Sequence, residues 1–299
     1  MQTIIVPLDG SQVAEGALAP AQALAEATQA ELVLVQGIRF DVTSRQEEVA
    51  SHAALSEARR YLHTVCRRLQ GDGITARSEV LPGSPEQAIL FAARMHNADL
   101  IAMSTHGRSA LRHVLVGSVA EAVLRHSECP VLITHSGNGP AAEGPITQRI
   151  LVPLDGSPLS EAALAYVVSE HLAAGARVTL LRVIEQPTLY GATLVTGQAS
   201  AEFFASADEQ TAKERQEAED YLSTLSERYL RGMEWDKQVI VGYPSEDIVR
   251  YATQVQAGLI VMATAGRHGF ERLLYGSVAG RVLRHAPMPV LVVHDVSSP

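Results

Sequence analysis

Six residues, VPLDGS, stand at positions 6–11 and stand again at 152–157. A chain that writes one turn twice is built from one supersecondary unit used twice, and that constrains the fold more than any single element does. The correspondence runs on: STHGRSALRHVLVGSVAEAVLRHSECPVLI at 104–133 answers ATAGRHGFERLLYGSVAGRVLRHAPMPVLV at 263–292. The second copy is longer, and its extra residues follow LLRVIE, within 186–204. Between the copies, SGNGPAAEGPITQ (136–148) is rich in Gly, Pro and Ala and reads as a linker. The 299 residues therefore divide into a first domain over 1–136, a linker over 137–148 and a second domain over 149–299.

Within each copy, short β-branched runs alternate with longer amphipathic ones. TIIVPL, ELVLVQGI, TARSEVL, DLIAMS and PVLITH read as strands of the first copy, with helices over 12–29, 45–70, 85–96 and 117–126. RILVPL, RVTLLRVI, KQVIVG, LIVMAT and PVLVVH repeat the series. Several of these strands are apolar on both faces, as happens when helices cover a parallel sheet on both sides. The expected fold is α/β: two tandem Rossmann-like domains, each an open, doubly wound, parallel five-stranded sheet flanked by helices. Ligands on such sheets collect beyond the carboxyl ends of the strands, so site residues should lie where strands end.

Composition excludes more than it assigns. A net charge of −9 gives no basic face for nucleic acid. Cys66 and Cys129 have neither metal spacing nor a disulfide framework and read as packed, reduced thiols. No apolar run reaches the length of a membrane span and MQTIIVPLDG has no leader pattern, so a cytoplasmic protein is expected.

At the strand ends, PLDGS closes the first strand with Pro7 or Pro153 and places Asp9 or Asp155 directly after it. Ser11 and Ser157 are N-cap candidates for the next helix, and Pro158 suits a first helical position. The aspartates serve either as Asx-turn residues or as ligand contacts. The fourth strand ends in MSTHG or MATAG, and Gly107 stands as far from Gly117 as Gly266 does from Gly276. GSVA opens a helix, whose first N–H groups are unpaired and attract a phosphate. SVAE at Ser118–Glu121 also reads as a capping box, which Gly280 breaks in the second copy.

The VPLDGS turn, the strand-end HGR or AGR, the step to GSVA and the closing CPVLI or MPVLV resemble the universal stress protein family, once per half, over nearly the whole chain. The resemblance implies a tandem member that binds ATP, with or without magnesium, through a pattern G-x-x-G-x9-G-[S/T]. On that pattern Gly107, Gly117 and Ser118 match, as do Gly266, Gly276 and Ser277, whereas Ser104 and Ala263 replace the leading glycine. The resemblance further implies that Asp9 and Asp155 meet the adenosine part, and that Gly37 and Val183 stand at the base-contacting position. It places Met103 and Met262 beside the base and Arg108 and Arg267 after the motif glycine, and Pro7, Pro153, Val119 and Val278 join these as cofactor-binding candidates. Because Val183 offers an apolar wall and Gly280 removes a carboxylate, the second half is expected to bind somewhat more tightly. The closing strands are expected to pair within the chain as a pseudo-dimer, and two chains to form a homodimer.

Three function classes follow: a nucleotide-binding stress-response protein acting through its bound state, a slow nucleotide hydrolase, or a ligand-free interaction module. No G-x-x-x-x-G-K-[ST] is present, and the lysines, Lys213 and Lys237, stand far from the glycine motifs. His106 is matched by Ala265, so no base or nucleophile is repeated. Whether the chain is an enzyme stays open.

Overall fold

The computed structural model describes residues 1–39, 45–105, 117–135, 146–185, 201–264 and 277–294, without the side chains of 45–50 and 201–208. The first half supplies β1 (Thr3–Pro7), β2 (Glu31–Ile38), β3 (Ala76–Pro82), β4 (Leu100–Ser104) and β5 (Val131–Thr134). The second supplies β6 (Arg149–Pro153), β7 (Arg177–Glu185), β8 (Glu234–Gly242), β9 (Leu259–Thr264) and β10 (Val290–His294). The helices described are α1 (Gln12–Glu15), α2 (Leu18–Thr28), α3 (Arg45–Gly71), α4 (Pro85–Met95), α5 (Ser118–His126), α6 (Pro158–Ser169), α7 (Ala201–Tyr229), α8 (Pro244–Gln254) and α9 (Ser277–His285).

Each half is a parallel sheet, and both halves join in one ten-stranded sheet of order β3-β2-β1-β4-β5-β10-β9-β6-β7-β8. The strands alternate between two core layers: one, holding Leu32 and Leu34, lies under α2, α3, α6 and α7, and the other, holding Val33 and Val35, lies under α4, α5, α8 and α9. In each half the chain leaves the first strand in one direction and returns on its other side, so β1 lies between β2 and β4, and β6 between β7 and β9. That reversal creates the crevice where α/β sheets hold ligands.

The halves meet through β5 and β10, the one antiparallel pair among the described residues. Val290 pairs with Ile133, Leu291 with Leu132 and Val292 with Val131. PVLI and PVLV are counterparts in the repeat, so Leu132 faces its own equivalent and a pseudo-twofold axis passes between them. Both leucines are fully buried, and both core layers run unbroken across the seam.

Two elements depart from expectation. The helix expected over 12–29 is two segments, α1 and α2, broken at Gly16–Ala17. Pro20 explains the break: its ring clashes with the carbonyl four residues back, at Gly16. In the second half Tyr166 occupies that place and α6 runs unbroken. Strand β8 begins at Glu234, ahead of the expected Lys237, because Glu234, Trp235 and Asp236 already pair with Arg177, Val178 and Thr179 of β7. The linker reading falls largely on 136–145, outside the described residues.

The seam predicts coupled energetics. Leu132→Ala and Leu291→Ala should each destabilise by about 3 kcal/mol, and the double variant by about 1 kcal/mol less than the sum, because the side chains share one contact. Denaturant unfolding of the four proteins measures this, and strictly additive losses would refute a seam packed on this pair.

Candidate functional site

The site begins with the turn after the first strand. Gly10 and Gly156 adopt φ of 82° and 85°, a region costly for any side chain, which turns the chain sharply after each aspartate. Asp9 Oδ1 accepts from Ser11 N at 2.9 Å and Ser11 Oγ at 2.5 Å. Asp155 Oδ1 does the same with Ser157 at 2.9 and 2.5 Å. Ser11 and Ser157 in turn cap α1 and α6. The Asx reading of the aspartates is therefore present in both halves, and it uses only one carboxylate oxygen of each.

In the first half the turn borders a cavity of about 320 Å³ at the carboxyl edge of the sheet. The strand ends supply Pro7, Asp9, Val35, Gln36, Gly37, Met103 and Ser104, and α4 supplies Pro85 and Ile89. Thr105 and the first turn of α5, Gly117 to Ala120, close it. Gly37 carries no side chain because α4 lies directly on it: a Cβ there would stand 2.9 Å from Ala88 Cβ and 3.0 Å from Pro85 Cα. The apolar wall that Gly37 does not offer is thus furnished by Pro85 and Ile89. Pro244 and Ile248 are their counterparts in the second half, where Val183 comes in addition, so this wall does not change the expected ranking of the halves; Glu121 pairs with Arg125 at 3.1 Å.

Gly117 donates its N–H to the Thr105 carbonyl at 2.8 Å, and a Cβ on Gly117 would overlap that same oxygen. Glycine is required here for strand-to-helix approach, at an ordinary φ of −54°. The N-cap of α5 is Gly117, with no side-chain capping bond, so the capping box expected at Ser118 is not formed. Ser118 is the first helical residue, and it is exposed. Helix geometry leaves the N–H groups of Ser118, Val119 and Ala120 without intrahelical partners, at the positive end of the helix dipole.

The second half keeps the backbone plan and changes the chemistry. Pro153, Asp155, Val183, Met262, Ser277 and Val278 occupy the corresponding strand ends and helix start. Arg182 replaces Gln36, donating from Nη1 to the Leu154 carbonyl at 3.2 Å. Partial burial acts to raise the Asp155 carboxyl, but the Ser157 and Ser160 hydrogen bonds and the Arg182 charge hold it below its ordinary range. Asp247, 4% exposed, replaces Ala88 and accepts from Tyr243 N at 2.7 Å, with Arg250 paired to it at 2.5 Å. Gly107, Arg108, Gly266, Arg267 and Gly276, and also His106, lie outside the described residues. Among the described residues no group of three His, Cys, Asp or Glu is placed to hold a metal ion.

The model of the universal stress protein family matches residues 1–135 and again 147–294. The chain belongs to the universal stress protein family. Universal stress protein Rv2623 of Mycobacterium tuberculosis is 26% identical, over 98% of this chain and 96% of its own length. Universal stress protein Rv2005c of the same organism is 28% identical, over 74% of this chain and 70% of its own. A universal stress protein from Archaeoglobus fulgidus has a crystal structure that superposes with a TM-score of 0.68 at 23% identity, covering 98% of both chains. The family thus covers both halves, and the solved relative shares the tandem fold.

The cavity residues Val35, Gln36, Pro85, Ile89 and Thr105 were not singled out by the sequence. Pro85 alone carried a signal, since SPEQ at 84–87 is a helix start placed just after the third strand.

Two outcomes follow from this geometry. Gly117→Ala should lower stability by about 2 kcal/mol by forcing α5 off Thr105, whereas Ser118→Ala should change it little. Thermal unfolding checks this, and equal effects would contradict the packing role of Gly117. The second concerns His294, 9% exposed at the end of β10, whose Nε2 finds no hydrogen-bond partner among the described residues. Burial pushes its imidazole below the ordinary range. The unfolded chain then takes up this proton first, below about pH 6.5. Stability from His294 is therefore present above that pH and is lost as pH falls through the lower folded value. His294→Leu should flatten the decline in denaturation midpoint between pH 7 and 5; an unchanged slope refutes it.

Proposed function

We propose that this chain is an adenine-nucleotide-binding stress-response protein, with ATP as ligand, that acts through its bound state rather than through turnover. The observation that carries the reading is the cavity joining Asp9, an apolar wall and the first turn of α5 at the edge where such sheets hold ligands. Val35, Pro85, Ile89 and Met103 suit the faces of a base, Asp9 suits a sugar hydroxyl, and the Ser118–Ala120 N–H groups suit phosphate oxygens. Bound ATP brings its own negative charge to the helix start, and Ser118 adds a hydroxyl there. Arg108 and Arg267 are proposed to face the phosphates, with Ser277, Val278, Asp155, Val183 and Met262 serving the second half in the same way. Magnesium, where present, would travel with the triphosphate.

The two halves are read as domains of 1–136 and 149–299, each a potential nucleotide site. A homodimer would need another surface than β5 and β10, which spend their edges on each other. No described helix is long and apolar enough to cross a membrane, and a cytoplasmic location fits this reading.

The test is direct. Denaturing the purified protein should release adenine nucleotide detectable by ion-pair chromatography with mass detection. Added ATP at a thousandfold excess over Kd should stabilise the protein by about 4 kcal/mol, raising its melting temperature by several degrees. Absence of both released nucleotide and a thermal shift would favour the ligand-free module, and steady phosphate release over repeated turnovers would favour the slow hydrolase.

A further inference from the structure

The first-half cavity has two chemically distinct ends. Val35, Ile89 and Met103 belong to the core layer under α4 and α5. Leu8 and Ala14 belong to the opposite layer, under α2 and α3, and Asp9 and Gln36 line the cavity beside them. By the alternation of β2, Gln36 points to this second layer, away from the apolar wall.

Gln36 Oε1 is buried and finds no hydrogen-bond partner among the described residues. Buried acceptors are met in native proteins with few exceptions, and an unmet one at a cavity wall calls for a donor from the cavity. Asp9 is in a related condition: Oδ1 takes both Ser11 bonds, and Oδ2 takes none among the described residues. The polar end therefore presents two acceptors, a carboxylate oxygen and a carboxamide carbonyl, that have no hydrogen-bond partner among the described residues. A vicinal diol supplies two O–H donors from one ligand. The last torsion of a glutamine is soft, so its carbonyl turns to the cavity at little cost.

We propose that Gln36 is the residue by which the first-half site selects a ribonucleotide over its deoxy counterparts, its side-chain carbonyl accepting from one ribose hydroxyl while Asp9 takes the other. The inference rests on the nucleotide reading and adds its sugar specificity. The second half does not share the device. Arg182, the counterpart of Gln36, carries only donors, and it already serves the Leu154 carbonyl at 3.2 Å. Sugar discrimination there falls to Asp155 alone.

Titration calorimetry of the whole protein with ATP, 2′-deoxy-ATP and 3′-deoxy-ATP tests this, on the unaltered chain, Gln36→Met and Arg182→Met. Each missing hydroxyl should weaken first-half binding by about tenfold in the unaltered chain. In Gln36→Met, ATP should fall by about that factor, and one of the two deoxy analogues should lose its disadvantage. Arg182→Met should leave the first-half ratios unchanged. Without ligand, Gln36→Met should melt no lower than the unaltered chain, since it removes an unmet acceptor at nearly constant volume. Unchanged ATP-to-deoxy ratios in Gln36→Met would overturn the proposal alone, as would a large drop in its ligand-free melting temperature. Failure of the unaltered chain to bind any of the three nucleotides would overturn the nucleotide reading, and this proposal with it.

Discussion

The antiparallel pairing of β5 with β10 governs the rest of the molecule. Each half ends on a short, wholly buried strand that is apolar up to its last residue, VLIT in one and VLVVH in the other. Left unpaired, such an edge would template association with any exposed strand. Pairing with its own equivalent removes both edges at once and continues both core layers. The edges that remain belong to β3 and β8, where Arg77, Ser78 and Glu79, or Glu234, Asp236 and Lys237, interrupt the apolar pattern. Charge at an open edge discourages further pairing, so the sheet stops at ten strands.

The same pairing positions the sites. Because β5 and β10 run in opposite directions, the carboxyl ends of the two half-sheets point to opposite edges of the common sheet. The helices that start at those ends, α5 and α9, nonetheless pack in one core layer. Neither site borrows its strand ends from the other half, so each copy was free to change its chemistry without disturbing the other. The copies differ there in chemistry as well as in size: Gln36 against Arg182, Gly37 against Val183, Ala88 against Asp247. In the first half a glycine lets α4 settle directly on β2. In the second, Val183 stands at that place in the repeat, and the Asp247 carboxylate lies against Gly242, where a Cβ would overlap it.

Local features were legible in the sequence where a local rule decides them. Strand positions followed from runs such as ELVLVQGI, and β2 lies where that run lies. The Asp9 and Asp155 turns were legible because glycine, serine and aspartate have few other uses in that order. The break at Gly16 was missed although Pro20 announces it, since the amphipathic pattern on both sides outweighed one proline. Ser118 looked like a cap because its neighbour Gly117 gives no sequence sign of being pressed against Thr105. The cavity wall was least legible of all. Pro85, Ile89 and Gln36 come together with Asp9 only through the sheet order, and no spacing along the chain encodes that.

Gly117 shows why a sequence motif can be right for a reason other than the one first given. Glycine beside a phosphate-binding helix is commonly explained by approach of the ligand to the backbone. Here the atom that would collide with a Cβ is the Thr105 carbonyl, a part of the protein itself. The hydrogen bond from Gly117 N to that carbonyl fixes the first turn of α5 against the end of β4 before any ligand arrives. The N–H groups of Ser118, Val119 and Ala120 are thereby aimed in advance, and a ligand pays little to order them. Preorganisation of this kind lowers the cost of holding an anion and does nothing by itself to lower a reaction barrier. On the proposed reading, the glycine that closes the strand-to-helix junction is therefore also what suits this half to a long-lived bound state.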